Sequence, residues 1–255
     1  MGSIKYYKFS SFNIPGIVHA IFTRHGGASP APWRSLNFGA SVGDDLTRVM
    51  LNRKNALGVL KLKPDVVYDV YQVHSTEIVY TDKPLAVGEP HIKADAIITN
   101  IPNICLIMRF ADCVPILLFD PQNRIIGIAH AGWKGTVNKI AAKTVTKMVQ
   151  NFGTNPSDVL AAIGPSIGPD HYQVGEDVIN KVAISFGNTS EEVLILNNGK
   201  SYFDLWKANQ IILTEVGVNK IDVAGICTQC NLDDWYSHRG EHEKTGRFGV
   251  VLGLC

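Results

Sequence analysis

The sequence lacks the features that mark membrane, secreted and nucleic-acid-binding proteins. It has no run of about eighteen uncharged apolar residues, which a membrane-spanning helix needs, and its first residues form no apolar signal core. Lysine plus arginine number 24 and aspartate plus glutamate 23, a formal net charge of +1. This balance gives no electrostatic reason to expect nucleic acid or an anionic membrane as a partner. Five cysteines, an odd number, indicate reduced thiols better than a disulfide framework. We therefore expect a cytoplasmic protein.

The 255 residues are 45% apolar and 18% charged, as in an ordinary globular protein, and we expect one domain over residues 1–255. Short apolar or β-branched runs separated by turn residues predict a strand-dense chain. These runs cover residues 18–23, 66–73, 77–81, 94–99, 105–110, 115–119, 124–129, 159–163, 222–227 and 248–252. Their close spacing through the middle of the chain favours antiparallel or mixed pairing, because a parallel crossover needs about a dozen residues.

Four segments show helical spacing with recognisable ends. The first begins after Asp44 or Asp45, carries Leu46, Val49, Met50 and Leu57 on its apolar face, and ends at Gly58. The others run from an N-cap at Thr136 to Gly153, over 174–186 to Gly187, and from Asp204 to Gly217. The sequence therefore predicts an α+β fold in which layered mixed sheets are flanked by three or four helices.

Three potential metal ligands lie at the ends of strand-like runs. Cys113 follows the run 105–110, His130 follows 124–129, and His74 follows 66–73. A thiolate with two imidazoles suits zinc and leaves one coordination position open for chemistry. A buried core thiol and a hydrogen-bonded histidine at a sheet end are the alternatives, because both residue types are often buried. Asp112, beside Cys113, could orient a histidine or accept a proton.

Several cations stand in glycine-rich segments. Lys134 lies at the start of a predicted helix, where backbone N–H groups attract anions, and Arg24, Arg239 and Arg247 could bind phosphate or carboxylate. No phosphate-binding P-loop pattern accompanies them. A single C-x-x-C stands at Cys227–Cys230; without a second pair or a convincing following helix, it indicates a structural or pocket-lining role.

Short motifs along nearly the whole chain resemble the YfiH-type laccase-domain family, known both as multicopper polyphenol oxidase-like proteins and as purine nucleoside phosphorylases. The matching segments are 22–27, 35–39, 42–45, 52–53, 72–74, 94–96, 111–113, 130–133, 163–165, 227–228 and 245–247. The resemblance implies zinc bound by His74, Cys113 and His130, and a layered α+β fold distantly shared with a bacterial deamidating toxin. It further implies phosphorolysis of adenosine, inosine and methylthioadenosine, and deamination of adenosine.

On this reading Cys113, His130 and Asp112 are the candidate catalytic residues. The substrate-binding candidates are Arg24, Asn37, Gln72, Lys134 and Arg247. The expected partners are a nucleoside and phosphate, with no nucleic acid or membrane, and the expected state is a monomer or weak homodimer. Zinc is the expected metal, and copper is possible.

Three other functions remain open. The same ligands would suit a copper-dependent phenol oxidase, although only eight histidines are present and no H-x-H pair occurs. Cys113 with His130 as base could instead serve a metal-free cysteine hydrolase. A binding module without turnover is the fourth reading.

Overall fold

The computed structural model describes residues 2–255 and contains, within that range, fourteen strands and six α-helices. The strands are β1 Tyr6–Tyr7, β2 Ile17–Phe22, β3 Val67–Asp69, β4 Ile78–Tyr80, β5 Ala96–Thr99, β6 Ile104–Phe110, β7 Val114–Asp120, β8 Ile125–Ala131, β9 Leu160–Ile163, β10 Gln173–Val174, β11 Leu194–Asn197, β12 Lys200–Phe203, β13 Lys220–Val223 and β14 Phe248–Leu254. The helices are α1 Leu46–Val59, α2 Trp133–Val137, α3 Ile140–Phe152, α4 Glu176–Phe186, α5 Ser190–Val193 and α6 Leu205–Glu215.

The strands form three sheets. A five-stranded sheet has the order β1-β2-β14-β6-β3, and a six-stranded sheet has the order β13-β9-β7-β8-β5-β4. Each of these two combines antiparallel neighbours with parallel ones, the parallel pairs being β3/β6, β4/β5 and β9/β13. A small antiparallel sheet has the order β10-β12-β11. The mixed pairing expected from the close spacing of the runs is therefore present.

Alternating side chains show how the layers stack. In β7, Ile116 and Leu118 join the cluster formed with α3 and α6, whereas Leu117 and Phe119 join the cluster formed with the five-stranded sheet. In β14, Val251 belongs to a third hydrophobic cluster, which also contains residues of α1. Because successive strand residues point to opposite faces, the order of layers is α1, the five-stranded sheet, the six-stranded sheet, and the remaining long helices. This arrangement confirms the α+β prediction.

Helix α1 begins where the sequence indicates, since Asp45 is its N-cap and accepts the N–H of Arg48. Its predicted apolar face is partly wrong. Leu46 and Met50 are 62% and 52% exposed, while Val49 and Leu57 are buried. The two exposed side chains line a cavity described below instead of the core.

The predicted helix from Thr136 to Gly153 is two helices. The shorter one, α2, begins at Trp133 after Gly132, so Thr136 lies inside it and is not an N-cap. Lys139 then adopts a left-handed backbone conformation with φ +58°, which interrupts the helix before α3. The predicted strand 66–73 ends early, at Asp69, and 222–227 ends at Val223. The residues beyond these two ends form loops that carry potential metal ligands.

No helix within residues 2–255 combines the length and apolar character needed to cross a membrane.

Candidate functional site

Three side chains converge at the open end of the β7–β8 hairpin. Cys113 immediately precedes β7, and the antiparallel register pairs Val114 with Ala131 and Pro115 with His130. His130 therefore lies inside β8, not after it as the sequence indicates, and still meets Cys113 because the two strands are neighbours. His74 reaches the same place from the loop after β3. One ligand atom from each of His74, Cys113 and His130 lies within 4.8 Å of the other two.

A buried carboxylate positions both histidines. Asp95 lies directly before β5, and its Oδ1 is 2.8 Å from Nδ1 of His130. The same carboxylate accepts the backbone N–H groups of Val73, His74 and Ser75 at 3.2, 3.0 and 2.6 Å, which holds the loop carrying His74. A histidine whose second nitrogen binds a carboxylate presents its first nitrogen to a metal in a fixed orientation. Sequence reasoning missed this role, although Asp95 stood in a matching motif.

Gly132 leaves the space in which these ligands meet. A Cβ atom on Gly132 would lie 2.9 Å from Sγ of Cys113 and 3.0 Å from Nδ1 of His74. Both distances are shorter than an ordinary van der Waals contact. Glycine at this position, immediately before α2, is therefore what allows the thiol and the imidazole to occupy one site.

The charges at the site favour a thiolate. Burial raises the pKa of Cys113, but the imidazoles of His130 and His74 outweigh that effect and lower it to about 6. Burial lowers the pKa of His130, but Cys113 and Asp95 outweigh that effect and raise it to about 9. The pKa of Asp95, which burial raises, falls to about 2 because His130 and Ser75 stabilise its anion. A metal would displace the remaining proton of His130, and the donor set would then be one thiolate and two imidazoles, which fits zinc with an open fourth position.

Two cavities meet at this cluster. The first has a volume of about 430 Å³ and the second of about 390 Å³, and four side chains line both: His74, Arg109, His130 and Arg247. The first cavity is cationic. Its Arg53 and Arg109 bind Oδ2 of buried Asp69 at 3.2 and 2.6 Å, so part of their charge is already neutralised.

Arg247 is the cation best placed to meet a ligand. Its Nη1 donates to the carbonyl oxygens of Thr245 and Gly246, at 3.3 and 2.9 Å. Among the described residues, Nε and Nη2 remain available. Its backbone N–H donates to Oδ1 of buried Asn37 at 2.8 Å, which fixes the start of its side chain.

The second cavity presents aromatic faces together with polar groups. Trp133 and Tyr172 line it, with Asp112, Lys134 and Arg239. Flat apolar rings with nearby donors and acceptors are typical of sites that bind a planar heterocycle. Neither aromatic residue was a candidate from the sequence, because only the folded chain places the Tyr172 loop opposite α2.

Asp112 lies in this cavity with both carboxylate oxygens engaged. Oδ1 accepts the hydroxyl of Thr228 at 2.7 Å, and Oδ2 accepts the backbone N–H of Arg239 at 2.6 Å. Its backbone is left-handed, with φ +77°. Each oxygen keeps a second lone pair for a ligand, so Asp112 stays a candidate proton carrier.

The structure separates the five substrate-binding candidates into two groups. Gln72, Lys134 and Arg247 line the cavities. Arg24 and Asn37 are not among the lining residues. The guanidinium of Arg24 donates to the carbonyl oxygens of Leu232 and Arg34 and to Glu241, and Asn37 is fully buried. In this structure both hold loops in place.

The chain is similar to known proteins over nearly its whole length. Residues 18–255 match the family described as multi-copper polyphenol oxidoreductase laccase. A purine nucleoside phosphorylase of Deinococcus radiodurans is 37% identical over 239 residues, covering 93% of this chain and 89% of that protein. The crystal structure of the hypothetical protein YfiH of Bacillus licheniformis matches with a TM-score of 0.90 at 34% identity, covering 94% and 93% of the two chains. That of YlmD from Geobacillus stearothermophilus matches with a TM-score of 0.91 at 32% identity, covering 96% and 94%.

Proposed function

This chain belongs to the multi-copper polyphenol oxidoreductase laccase family, as its motifs indicate, and on that premise we propose that it is a zinc-dependent purine nucleoside phosphorylase. The proposed substrates are adenosine, inosine and methylthioadenosine, and adenosine is also deaminated in the same site. The name of the Deinococcus radiodurans relative supports phosphorolysis.

One observation carries the proposal. The His74, Cys113 and His130 cluster lies where a cavity with aromatic walls meets a cationic cavity. A purine nucleoside combines a flat ring with a polar sugar, and phosphate is an anion. The two cavities thus offer a matching surface for each substrate, and the reacting sugar carbon would lie between them, beside the cluster.

The cluster fits zinc through its thiolate, its two imidazoles and the room left by Gly132. When bound there, zinc supplies a Lewis acid that polarises a substrate oxygen or acidifies water. Asp95 fixes His130 through Nδ1, so Nε2 is the nitrogen that faces the ligand.

In phosphorolysis a phosphate oxygen forms a bond to C1′ of the ribose while the C1′–N9 bond breaks. Its electron pair leaves on the purine, which takes up a proton. Arg247 holds the phosphate, since a guanidinium binds phosphate through two parallel hydrogen bonds. Trp133 and Tyr172 flank the purine, and Lys134, which lines the same cavity, supplies a donor to the departing ring.

In deamination, water adds to C6 of adenosine and ammonia leaves, giving inosine. Asp112 accepts the proton from that water and returns a proton to the departing amine. The Thr228 and Arg239 hydrogen bonds keep the carboxylate aimed along one direction while a free lone pair on each oxygen serves as base.

Product analysis tests the proposal. Purified protein with its metal content measured is incubated with adenosine, with and without inorganic phosphate. We expect inosine in both samples, and adenine, hypoxanthine and ribose 1-phosphate only with phosphate, because inosine is itself a proposed substrate. The Cys113→Ala variant should lose all four products, whereas Cys255→Ser, an exposed cysteine outside the cluster, should keep them. Zinc-loaded protein that forms none of these products would contradict the proposal.

A metal-free cysteine enzyme is the second candidate, and a specific observation favours it. An activated cysteine needs a nucleophile, a base beside it and a carboxylate that orients the base. These three roles match Cys113, His130 and Asp95. Protein stripped of metal by a chelator separates the two functions. If the stripped protein turns over adenosine at the full rate, the cysteine enzyme is supported. If adenosine turnover is lost and zinc restores it, the metal enzyme is supported.

The same ligands would accept copper. Multicopper oxidation needs several histidine-rich sites. Residues 2–255 contain two His/Cys/Asp clusters, one with two histidines and the other with a single histidine. We therefore rank phenol oxidation below phosphorolysis. Oxygen consumption with a phenol, measured on copper-reconstituted protein, would reverse that order if it exceeded the rate of nucleoside turnover.

A further inference from the structure

A second cluster of potential metal ligands lies apart from the catalytic one. It comprises Asp170 and His171, in the loop between β9 and β10, and Cys227 and Cys230, in the turn after β13. One ligand atom from each of the four lies within 4.8 Å of the others. None of these residues belongs to the His74, Cys113 and His130 cluster.

The distances within this second cluster suit a tetrahedral ion. Nδ1 of His171 is 3.8 Å from Sγ of Cys227 and 3.5 Å from Sγ of Cys230, and Oδ2 of Asp170 is 4.0 Å from Sγ of Cys230. Tetrahedral zinc with bonds of about 2.0–2.3 Å keeps its ligand atoms about 3.3–3.8 Å apart. Nδ1 of His171 also pairs with Oδ1 of Asp170 at 2.9 Å. Binding an ion therefore requires that this contact is given up and that small side-chain shifts bring all four atoms to the ion.

The backbone around Cys227 prepares its sulfur for a metal. The N–H groups of Gly168 and Cys230 point at this sulfur, with nitrogen–sulfur distances of 3.1 and 3.4 Å. These two contacts hold the sulfur in a fixed position, as hydrogen bonds around the ligands of a metal site do. The spacing of the two cysteines, C-x₂-C, is one that zinc sites use.

Gly168 has the role here that Gly132 has in the first cluster. A Cβ atom on Gly168 would lie 2.7 Å from Oδ1 of Asp170 and 3.1 Å from Sγ of Cys227. No positive φ requires glycine at this position, so the room it leaves for the two ligands is what the residue contributes.

We propose that Asp170, His171, Cys227 and Cys230 bind a second zinc ion, in a closed site with four protein ligands. Two thiolates with one imidazole and one carboxylate suit zinc better than calcium or magnesium, which prefer oxygen ligands. A disulfide between the two cysteines is the competing state, and it gives no role to Asp170 or His171. The turn after Cys227 also opens no helix, unlike a thioredoxin-type redox motif.

This ion would be structural and would support the catalytic pocket. It would tie the β9–β10 loop to the turn after β13, and both segments hold Asp112. From the loop, Ile167 donates its N–H to the carbonyl oxygen of Asp112 at 3.0 Å; from the turn, Thr228 donates to its carboxylate. Tyr172, beside His171, lines the cavity with the aromatic walls.

Metal counting on the intact protein tests the proposal. We expect Cys113→Ala to keep one zinc ion per chain, Cys230→Ser to lose one relative to wild type, and the double variant to hold none. Cys255→Ser, also an exposed cysteine, is the matched control and should keep the wild-type content. If Cys113→Ala changes nothing and Cys230→Ser removes the zinc, the second site stands while the zinc in the proposed function fails.

Cobalt substitution in the Cys113→Ala background gives a readout of the ligands themselves. Thiolate-to-cobalt charge-transfer absorption should be present and should decrease in Cys230→Ser and in Asp170→Asn. Both positions are exposed, so we expect the two variants to fold. Metal-free Cys113→Ala protein would overturn the proposal. So would a disulfide between Cys227 and Cys230, seen as a protein mass two daltons below the expected value that returns to that value on reduction.

Discussion

The carboxylate of Asp95 lies 2.8 Å from Nδ1 of His130 and at the same time accepts the backbone N–H of His74 at 3.0 Å. One buried side chain thus orients two of the three potential ligands, although these two lie 56 residues apart in the sequence. Asp95 is not itself one of the three potential metal ligands. Its contribution is to hold the two imidazoles where a metal needs them.

Replacing Asp95 with asparagine should weaken metal binding about 10–100-fold, the usual effect of losing an orienting carboxylate. The amide oxygen can still accept two hydrogen bonds, so part of the support for the loop remains. Competition with a coloured chelator measures the affinity. Asp65→Asn, at an exposed position in the 3₁₀ helix Pro64–Val66, is the control. Unchanged affinity in Asp95→Asn would show that the histidines need no such support.

Replacing Gly132 with alanine should empty the first site while leaving the fold intact. The added Cβ would meet Sγ of Cys113 at 2.9 Å, so the thiol or the histidine has to move. Gly58→Ala is the matched control because nothing lies within 4 Å of its Cβ, and inside α1 it should stabilise the protein by about 0.5–1 kcal/mol. We expect metal content and turnover to fall together in Gly132→Ala only, and wild-type metal content in that variant would contradict this account.

The meeting of Cys113 and His130 follows from a pattern visible in the sequence. Two apolar runs joined by a short turn predict a hairpin, and a hairpin brings the start of its first strand beside the end of its second. The approach of His74 has no such pattern. It depends on Asp95 binding three consecutive N–H groups of a loop, a contact that no spacing of apolar residues encodes.

The substrate-binding predictions show the same division. Arg24 and Asn37 stand in motifs that the family shares, yet one binds loop carbonyl groups and the other is fully buried. A shared motif does not distinguish a residue that binds ligand from one that shapes the loop around it. The C-x-x-C at Cys227 was visible too. Its partners Asp170 and His171 come from a loop that the parallel bridge between Ser166 and Cys227 brings near, a contact that the sequence does not reveal.

Arg247 should control the affinity for phosphate. Loss of a charge-assisted hydrogen bond costs about 1.5–3 kcal/mol, so Arg247→Ala should raise the KM for phosphate about 10–150-fold and leave the KM for nucleoside within a few fold. Arg247→Lys should recover part of the loss, because a lysine restores the charge without the paired geometry. Steady-state kinetics with each substrate varied in turn provide the test, and an equal rise in both KM values would place Arg247 elsewhere in the mechanism.

His19 makes the stability of the protein depend on pH independently of the site. It is 1% exposed on β2, and the backbone N–H of Phe9 donates to its Nε2 at 2.9 Å, so the neutral imidazole is the form that the fold uses. Burial, with a smaller effect from the charge of Lys8, lowers the pKa of His19 to about 4 from the usual 6.5.

In the unfolded chain His19 takes up a proton near pH 6.5, whereas in the folded chain it does so only near pH 4. The stabilisation is therefore complete above about pH 6.5 and is lost as the pH falls toward 4, by up to about 3 kcal/mol. His19→Gln keeps an acceptor for Phe9 but does not titrate. We measure the free energy of unfolding of wild type and of this variant by denaturant titration. As the pH falls from about 6.5 to 4, wild type should lose more of this free energy than the variant does. A constant difference would show that His19 is protonated in the folded protein as readily as in the unfolded chain.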